Sequence, residues 1–595
     1  MRIGDCLKMM RHILFAVCLY VRCLAAGAQT LPTVPVPAEN PITEEKRVLG
    51  KILFWDEQLS SDNLTACGTC HIPGAGGGEP RFGMNPGSDL TFATPDDVFG
   101  SPGVPRSDDM GNYVVDAIYG TEAQVTGRTA NVVVNAAYAT DLFWDGRATS
   151  QFTDPQTGVV EIAGGGALES QAVGPPLSDV EMAHSDRDWS MISAKLENAR
   201  PLALASDIPG DMVAALSADA TYPELFEEAF GTTEISATRI AFAIATYQRT
   251  LISDQSPWDA WIQGDNTAMT PQQIQGWNAF QASACAICHI PPLFTNNAFH
   301  NIGVRPHAED LGRGAITGFA PDNGRFKTPT LRNTGLRFSF MHNGAFFNMQ
   351  QVLAFYALPP GPGVPNLDPL MPVPLPGPQR AAVDDFITNG LTDPRVANET
   401  FPFDRPTLNS ERPANPAIIG MGTSDGMGEV PQMVSHNPPL AGSPDFRLGV
   451  TNIAEGASVN LLVSSSPPVA GVLTPDETLG PFTASSGDGV APVATAFWTV
   501  PDDASLDGVP MYFQWFVPGT GAHSRIAEAT IFCGTGGCSE PCHADTNGDG
   551  VLNPADFNAW ILAFNAQSPV CDQNGDGLCN PGDFNAWILN FNAGC

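Results

Sequence analysis

Two stretches, Cys67-Gly-Thr-Cys70-His71 and Cys285-Ala-Ile-Cys288-His289, set the framework of this chain. Both have the Cys-x-x-Cys-His spacing by which c-type haem is attached to a protein. The spacing follows from the chemistry, because two thiols bond to the haem vinyl groups and the adjacent histidine then lies beneath the iron. A zinc site or a redox-active dithiol could use one such cysteine pair, but two complete motifs favour haem. The sequence therefore predicts two covalently bound c-type haems, attached through Cys67, Cys70, Cys285 and Cys288, with His71 and His289 as axial ligands of the iron.

The length and charge of the chain limit what it can be. Its 595 residues are too many for one compact core, so several domains are expected. It has 28 Lys and Arg against 63 Asp and Glu, a net charge of −35. Nucleic acid is not expected as a partner, because neutralising phosphates needs clustered cations. An acidic surface instead suits the attraction of a basic partner protein.

The N-terminal segment has the pattern of an export signal. A basic start at Arg2, Lys8 and Arg11 is followed by the apolar run 13–20 and by the small residues 26–28. The apolar run is too short to span a bilayer, so a membrane anchor is the weaker interpretation. We predict an exported protein, periplasmic or extracellular, whose mature chain has no transmembrane segment.

The pattern of the chain changes from helical to strand-like near residue 410. Before that point Ile240, Ile244, Tyr247 and Leu251 recur at helical spacing. Beyond it, short runs rich in Val, Thr and Phe alternate with turn residues and predict a small β-sandwich over 440–532. The sandwich contains no catalytic constellation, so we expect it to serve as a spacer or an adhesion module.

A near-exact repeat closes the chain, since the stretch 556–562 recurs at 583–589. The first residue of each copy is the last position of a calcium-loop pattern of about 12 residues. The pattern has oxygen ligands at positions 1, 3, 5, 9 and 12 and glycine at position 6. Position 12 is aspartate and a helix only follows the loop, so the module resembles dockerins rather than paired EF-hands. The resemblance implies two calcium ions and a cohesin-like or surface-scaffold partner. The predicted ligands are Asp545, Asn547, Asp549, Val551, Asn553 and Asp556, then Asp572, Asn574, Asp576, Leu578, Asn580 and Asp583, with the backbone carbonyl serving at Val551 and Leu578.

Six cysteines accompany this module. In an exported protein an even cluster predicts disulfide bonds, although the connectivity cannot be read from the sequence. They are Cys533, Cys538, Cys542, Cys571, Cys579 and Cys595.

The two haem motifs belong to an ordered series of six. The others are Gly50–Asp56, Phe143–Ala148, Phe326–Asn333 and Phe340–Gly344. In this order they resemble the bacterial di-haem cytochrome c peroxidases, a family that includes the di-haem enzyme that matures the quinone of methylamine dehydrogenase. The resemblance covers about residues 44–405. It implies that peroxide reacts at the N-terminal haem, held by His71, and that a small redox protein donates electrons through the C-terminal haem, held by His289.

The resemblance also assigns residues around the N-terminal haem. It places Glu181 as the distal acid and base, and Gln171 and Pro175 as walls of the pocket. Peroxide cleavage needs a proton moved from one oxygen to the other, which a partly desolvated carboxylate can do. Trp144 matches a tryptophan between the two haems that could relay electrons. The alternatives are a solvated loop charge for Glu181 and an ordinary core aromatic for Trp144.

Two departures from the family pattern carry information. No histidine lies between His71 and His184 to cap the N-terminal iron, so that haem is expected to be five-coordinate. At the position where the peroxidases have a methionine ligand for the other haem, this chain has Tyr356, as the quinone-maturing enzyme does. Met349 is the competing ligand, one heptad earlier on the same helix face. Oxygen ligation lowers the potential of a haem, whereas methionine raises it.

The family implies one further ion and suggests partners for the haem propionates. A calcium ion lies between the haems of family members, and here Thr129 occupies the place of its asparagine ligand. Arg337 and Ser339 occupy the places of its carbonyl ligands, so one such ion remains an expectation. Charge and position suggest propionate partners at Arg313, Lys327 and Arg332.

Together these features predict a multidomain chain with mainly α di-haem cytochrome c domains, then a small β-sandwich, then an α-helical dockerin-like calcium-binding module. The expected activity is that of a cytochrome c peroxidase. The alternatives are a peroxide-dependent oxidase of a protein or organic substrate, and an electron-transfer cytochrome on a scaffold. The predicted domains are a signal peptide 1–28, a proline-rich linker 29–43, the N-terminal haem domain 44–220, the C-terminal haem domain 221–410, a linker 411–439, the sandwich 440–532 and the calcium module 533–595.

Overall fold

The computed structural model describes residues 30–216, 220–358, 364–426, 428–538, 544, 546–547, 552–566, 568–571, 573 and 579–593. The predicted signal peptide, 1–28, lies outside these residues. Two compact units divide the chain, Met1–Pro413 with Ser486–Ala491 and Ala414–Ser485 with Pro492–Cys595. Within the described residues, none of the helices is both long and apolar enough to cross a membrane.

Helices make up most of the secondary structure of the first unit, in agreement with the predicted fold class. The short strands form four antiparallel pairs, β1 with β2, β3 with β4, β5 with β6 and β7 with β8. The helices are α1 (Glu44–Trp55), α2 (Cys67–Cys70), α3 (Ala167–Ala172), α4 (Trp189–Asn198), α5 (Gly210–Ala215), α6 (Tyr222–Phe230), α7 (Ala237–Gln248), α8 (Pro257–Ile262), α9 (Pro271–Ala282), α10 (Cys285–Cys288), α11 (Arg313–Thr317), α12 (Met349–Ala357), α13 (Gly377–Asp385) and α14 (Pro394–Ala397). The strands are β1 (Gly83–Asn85), β2 (Val98–Gly100), β3 (Pro102–Pro105), β4 (Ala123–Val125), β5 (Phe152–Thr153), β6 (Val160–Ile162), β7 (Phe299–His300) and β8 (Phe326–Lys327).

The core beneath the first haem motif is built on the crossing of α1 and α7. Ser236 begins α7, and its hydroxyl accepts a hydrogen bond from the Arg239 N–H. A Cβ at Gly50 would overlap the Ala243 carbonyl, so only glycine permits this close crossing. α6 and α7 bury their apolar faces in the same core. The predicted domain boundary at residue 220 is therefore wrong, since residues through Leu251 pack with the N-terminal haem domain.

A second core supports the second haem motif. It consists mainly of aromatic rings from α8, α9 and the loop after α10, and it extends to α12 and α13. Trp258 and Phe294 meet edge to face with ring centroids 4.8 Å apart. A Cβ at Gly276 of α9 would overlap the Ala382 carbonyl of α13, so glycine is required at this crossing as well.

The second unit contains the predicted sandwich. Its strands form a five-stranded sheet, ordered β13-β12-β15-β16-β9, and a three-stranded sheet, ordered β10-β11-β14. Leu448 and Val450 of one sheet share a buried core with Leu461, Phe513 and Trp515 of the other, so the sheets pack face to face. The strands are β9 (Ala417–Ile419), β10 (Gln432–Val434), β11 (Arg447–Thr451), β12 (Ser458–Ser464), β13 (Glu477–Thr483), β14 (Ala494–Phe497), β15 (Pro510–Val517) and β16 (Ala522–Thr530).

Two segments predicted as linkers are parts of the folded units. The 411–439 segment contributes β9 and β10, which pair with β16 and β11. The 29–43 segment contains the fully buried Asn40, whose amide donates to the Glu169 carboxylate at 2.8 Å. Both corrections have one cause, because single short strands and single polar anchors leave little periodic signal in a Pro- and Gly-rich sequence.

Two helices, α15 (Pro554–Ala566) and α16 (Pro581–Ala593), follow the sandwich and carry the sequence repeat. Asp556 and Asp583 occupy equivalent positions in the first turns of these helices. Each buried carboxylate accepts the N–H of the asparagine three residues earlier, at 2.8 and 2.7 Å. Disulfides join Cys533 to Cys538 and Cys571 to Cys579. Of the predicted calcium ligands, the described residues include Asn547, Asn553, Asp556, Asn580 and Asp583. Asp545, Asp549, Val551, Asp572, Asn574, Asp576 and Leu578 lie outside them.

Candidate haem sites

The first haem motif forms one wall of a cavity in the N-terminal haem domain. Cys67 and Cys70 bound the single turn α2, and the His71 N–H ends it on the Gly68 carbonyl at 3.1 Å. A Cβ at Gly68 would overlap the Trp55 ring, so the glycine inside the motif is fixed by packing. The three haem-binding side chains of the motif line the cavity together.

The histidine of this motif is prepared for an iron ligand. His71 Nδ1 donates to the Gly77 carbonyl at 3.4 Å, which leaves Nε2 for a metal. Burial lowers the pKa of His71, so the imidazole stays neutral. A neutral imidazole with one nitrogen bound to the backbone is the usual state of a metal-ligating histidine.

Glu181 and Gln171 line the same cavity, together with Pro175. Burial raises the pKa of the Glu181 carboxyl, and the Arg147 guanidinium only partly opposes this. The backbone at Glu181 is held by its N–H, which donates to the Ser178 carbonyl at 3.1 Å. The carboxyl therefore holds its proton to higher pH than a solvated glutamate, as a group that both accepts and returns a proton should.

No second histidine is found among the described residues that line the first cavity. Among the described residues that line it, His71 is the sole imidazole. The sequence pattern likewise has no histidine between His71 and His184. The described wall that contains Glu181 and Gln171 therefore has no histidine that could bind the iron.

The second haem motif lines a cavity in the C-terminal haem domain. Cys285 and Cys288 bound the single turn α10, and the His289 N–H donates to the Cys285 carbonyl at 2.9 Å. His289 Nδ1 donates to the Phe294 carbonyl at 3.0 Å. Burial lowers the pKa of His289 to about 4, so this imidazole is neutral as well. The four motif cysteines are unbridged thiols, so both cavities fit covalent attachment of a haem.

Both candidates for the distal ligand of the second haem lie on α12 and line the second cavity. Met349 is 5 % exposed and packs in the aromatic core with Leu353. Burial raises the pKa of the Tyr356 phenol, and the Cys285 and Cys288 thiols raise it further. Met349 and Tyr356 both line the cavity, so the choice of distal ligand stays a prediction.

Trp144 lies in the wall that the two cavities share. It is 5 % exposed, and its indole N–H donates to the Thr129 carbonyl at 2.7 Å. Its own carbonyl accepts the Lys327 N–H at 2.8 Å, which ties the wall to β8. The ring is thus held rigidly between the two sites, as a core aromatic and a relay would both require.

Comparison with known proteins agrees with this arrangement. The family model described as "Di-haem cytochrome c peroxidase" matches residues 44–267. The methylamine utilization protein MauG of Methylorubrum extorquens is 33% identical over 331 residues, 54% of this chain and 72% of that protein. The chain belongs to the di-haem cytochrome c peroxidase family. It is therefore an oxidoreductase of the peroxidase type, from a family that carries two c-type haems.

Two further relatives are named as peroxidases. The cytochrome-c peroxidase IdrP1 of Denitromonas iodatirespirans is 28% identical over 406 residues, 61% of this chain and 88% of that protein. The cytochrome c551 peroxidase of Pseudomonas aeruginosa is 28% identical over 335 residues, 54% of this chain and 75% of that protein.

Two of the three suggested propionate partners do not lie at the cavities. Arg332 is buried in a two-pronged ion pair with Asp259, at 2.7 Å for each contact. Arg313 donates to the carbonyls of Asp145 and Gly146 at 3.0 and 2.9 Å. Neither lines a cavity, whereas Lys327 lines the second. Charge and chain position could not separate them, because all three follow the second motif closely.

Thr129, in the place of the asparagine ligand of the expected inter-haem calcium, is hydrogen-bonded through its hydroxyl and its carbonyl. The Thr129 hydroxyl donates to the Phe99 carbonyl at 2.8 Å, and the Thr129 carbonyl accepts from Trp144. These hydrogen bonds leave lone pairs on both oxygens, and this ion stays a prediction.

Gln248 is a cavity residue that sequence reasoning missed. It is 3 % exposed, it lines the first cavity, and its amide oxygen has no hydrogen-bond partner among the described residues. A buried polar atom of this kind needs a partner that a bound group can supply. The signal was present in the sequence, because glutamine is out of place on the buried face of α7.

Proposed function

We propose that the chain reduces hydrogen peroxide to two waters at the N-terminal haem site. Two electrons and two protons balance this reaction. The haem supplies the iron to which peroxide binds and through which electrons arrive. The observation that carries the proposal is the half-buried carboxyl of Glu181, which shares a cavity with His71 and meets no second histidine among the described lining residues.

Glu181 is the group that moves the proton. As a carboxylate it accepts the proton of one peroxide oxygen, and as an acid it delivers that proton to the other oxygen, which departs as water. Gln171 and Gln248 contribute amides to the same cavity and can orient the peroxide by hydrogen bonds. The apolar neighbours Phe143 and Leu168 limit the access of bulk water.

A redox protein is proposed as the electron donor, entering at the C-terminal haem site. One relative is named for cytochrome c551, which supports a small cytochrome as donor. The net charge of −35 favours a donor with a basic surface. Trp144, in the wall between the cavities, is the proposed relay from one site to the other.

Tyr356 gives a second candidate function a specific observation in its favour. Its phenol lines the second cavity, and the sequence resemblance implies a tyrosine ligand at this position. Oxygen ligation stabilises oxidised iron, so the same site could oxidise a protein or an organic substrate with peroxide as the acceptor.

A spectrum of the ferric protein, expressed with the c-type maturation machinery, tests these proposals against a scaffold-bound electron carrier. We expect two haems per chain and a high-spin signal from the N-terminal haem, because His71 is the one histidine among the described residues that line its cavity. Addition of peroxide with a reduced cytochrome should then give turnover. Two low-spin haems without turnover would establish a carrier, and a colourless protein would exclude all three functions.

The C-terminal module is proposed to be dockerin-like, to bind two calcium ions and to anchor the exported enzyme to a cohesin-like partner or a surface scaffold. The equivalent hydrogen bonding of Asp556 and Asp583 supports two loops of one design. Each aspartate would supply the carboxylate at the last position of its loop.

Removal of calcium should loosen this module and spare the rest of the chain. We expect a chelator to open the segment after Cys538 to limited proteolysis, while the haem absorption stays unchanged, because the proposed ligands hold both loops closed. The double variant Asp556→Asn, Asp583→Asn should be cleaved even with calcium present. Identical cleavage with and without calcium would contradict the assignment.

A further inference from the structure

An oxidisable side chain, Trp55, packs directly against the first haem motif. Trp55 is the last residue of α1 and is buried. Its six-membered ring lies so close to Gly68 that a Cβ at the glycine would overlap it. Gly68 stands between Cys67 and Cys70, the two residues predicted to attach the haem. The indole is therefore in contact with the segment that is to hold the first haem.

Two further aromatic rings surround this indole. Phe54 lines the first cavity, and its ring centroid is 6.3 Å from that of His71 and 5.5 Å from that of Trp55. The Trp55 indole N–H donates to the Tyr247 phenol oxygen at 3.1 Å. Tyr247 is fully buried, and its hydroxyl reaches no carboxylate among the described residues. Trp55 is thus close enough to the first site to give it an electron, whereas Tyr247 has no base that could take up its proton.

A tyrosine bonded to a carboxylate lies one residue further along the chain. Asp56 follows Trp55 directly, and its Oδ2 accepts the Tyr222 hydroxyl at 2.6 Å. That length is typical of a hydroxyl bonded to a charged carboxylate. Both side chains are buried in the core that α1, α6 and α7 share. A phenol loses an electron more easily when its proton can move to a base in the same step, and Asp56 is such a base for Tyr222.

The environment of Asp56 allows it to take up that proton. The Leu202 N–H, the Gln58 N–H and the Gln58 amide donate to its carboxylate at 2.8, 2.9 and 3.1 Å. Burial raises the pKa of Asp56 above its ordinary value, and the hydrogen bonds to the carboxylate oppose this. No cation in the described part of the chain forms an ion pair with Asp56. Its affinity for a proton therefore exceeds that of a solvated aspartate.

The positive charge that faces the Trp55 ring is neutralised by the protein. The Arg405 guanidinium lies 5.5 Å from the centroid of this ring. A cation in that place opposes the loss of an electron by the indole, because both would be positive. Arg405 contacts the carboxylates of Glu399 and Glu411, however, at 2.9 and 2.6 Å. The two negative charges outweigh the single positive one, so the indole can carry a transient positive charge.

We propose that Tyr222 is a second site of oxidation in this protein and supplies an electron to the first haem site through Trp55 when no reduced donor is bound. This rests on the proposed function, in which peroxide withdraws two electrons at that site. Trp55 gives one electron to the oxidised site and regains one from Tyr222. The Tyr222 O–H bond breaks in the same step, and its proton passes to Asp56 Oδ2. The products are a neutral tyrosyl radical and a protonated Asp56, and one electron from a donor protein restores both.

Trp55 and Trp144 then serve different routes. Trp144 lies in the wall that the two cavities share and is the proposed relay between the two sites. Trp55 lines neither cavity, and it connects the first motif to Asp56 by the peptide bond that joins them and to Tyr247 by a hydrogen bond. The route through Trp55 therefore ends at Tyr222 in the buried core, where solvent does not reach the radical.

Freeze-quench paramagnetic resonance of the di-haem protein tests this inference, with stoichiometric hydrogen peroxide and no donor. The parent should give a tyrosyl signal, which narrows when the tyrosines carry deuterated rings. Tyr222→Phe should lose this signal, and Trp55→Phe should form it in lower yield. The matched control is Tyr512→Phe, which removes a phenol bonded to the Glu528 carboxylate at 3.3 Å in the sandwich. It should keep the signal, because neither residue lines a haem cavity or contacts a haem motif.

The parent protein keeps the test decisive if Tyr222→Phe matures poorly, which its haem content reports. Because the proton stays on Asp56, the radical should couple to an exchangeable proton, and that coupling should disappear from the double-resonance spectrum in D2O. A tyrosyl signal that never forms, that lacks this proton, or that persists in Tyr222→Phe would overturn the inference. If the first haem responds to peroxide without a tyrosyl signal, the proposed function stands and this inference is wrong. A haem that does not respond to peroxide would refute both.

Discussion

Replacement of Glu181 by glutamine should slow peroxide turnover by roughly 10²–10⁴-fold, the range typical for removal of a general acid and base. Glutamine keeps the shape and the hydrogen-bonding capacity of the side chain but cannot exchange a proton. The loss should therefore appear in the reaction with peroxide and not in haem content. Stopped-flow measurement of the reaction with peroxide, followed by haem absorption, checks this directly.

The pH profile of the parent enzyme should carry the signature of the same group. Burial raises the pKa of Glu181 above its ordinary value of 4.5. The reaction needs the carboxylate form to accept the first proton, so the rate should fall as the pH falls through this raised pKa. The midpoint of this fall in rate, the acid limb of the profile, should lie at a pH above the pKa of a solvated glutamate. The acid limb should be absent from the profile of Glu181→Gln.

Asp179→Asn is the matched control, because Asp179 is an exposed carboxylate two residues away and does not line the cavity. It should react with peroxide as the parent does. A Glu181→Gln variant that keeps the parent rate and acid limb would show that another group moves the proton.

The sequence allowed the haem chemistry to be predicted further than the architecture. The spacing of the two Cys-x-x-Cys-His motifs is dictated by covalent chemistry, so it survives any arrangement of the surrounding helices. Family motifs likewise placed Glu181 and Trp144 at cavity walls, where the structure has them. Helical spacing identified Ile240, Ile244 and Tyr247 as one face of α7.

The sequence could not predict which helices pack together or which charged side chains form ion pairs. The same helical spacing does not say which core α7 enters, and its crossing with α1 depends on the absence of a side chain at Gly50. Arg332 and Arg337 have the same charge and lie in neighbouring turns. One meets the buried Asp259, and the other reaches no carboxylate among the described residues. Only the fold decides which charge is neutralised by a carboxylate of the protein.

Tyr356→Phe should give the largest change at the second haem, because axial ligands set haem potentials over a range of about 0.8 V. Phenylalanine removes the phenol oxygen and preserves the ring within its pocket on α12. We expect the ferric spectrum of the second haem to lose its distal ligand and the potential of that haem to rise. Visible and paramagnetic resonance spectra with a redox titration provide the measurement.

Met349→Leu separates the two candidate ligands, since leucine fills nearly the same volume without the sulfur. It should leave the spectrum of the second haem unchanged if Tyr356 is the ligand. A changed spectrum in Met349→Leu and a parent-like spectrum in Tyr356→Phe would assign the methionine instead.

Tyr356→Met then tests which reaction the second site serves. A thioether ligand raises the potential and favours reduced iron, which suits acceptance of electrons from a donor protein. Peroxide reduction with a cytochrome donor should therefore persist or increase in Tyr356→Met, while peroxide-dependent oxidation of an organic substrate should fall. The change of ligand alters the haem potential, which we expect to affect the two activities in opposite directions. A fall in the cytochrome-driven reaction with no change in organic oxidation would therefore mean that the phenol serves the peroxidase reaction.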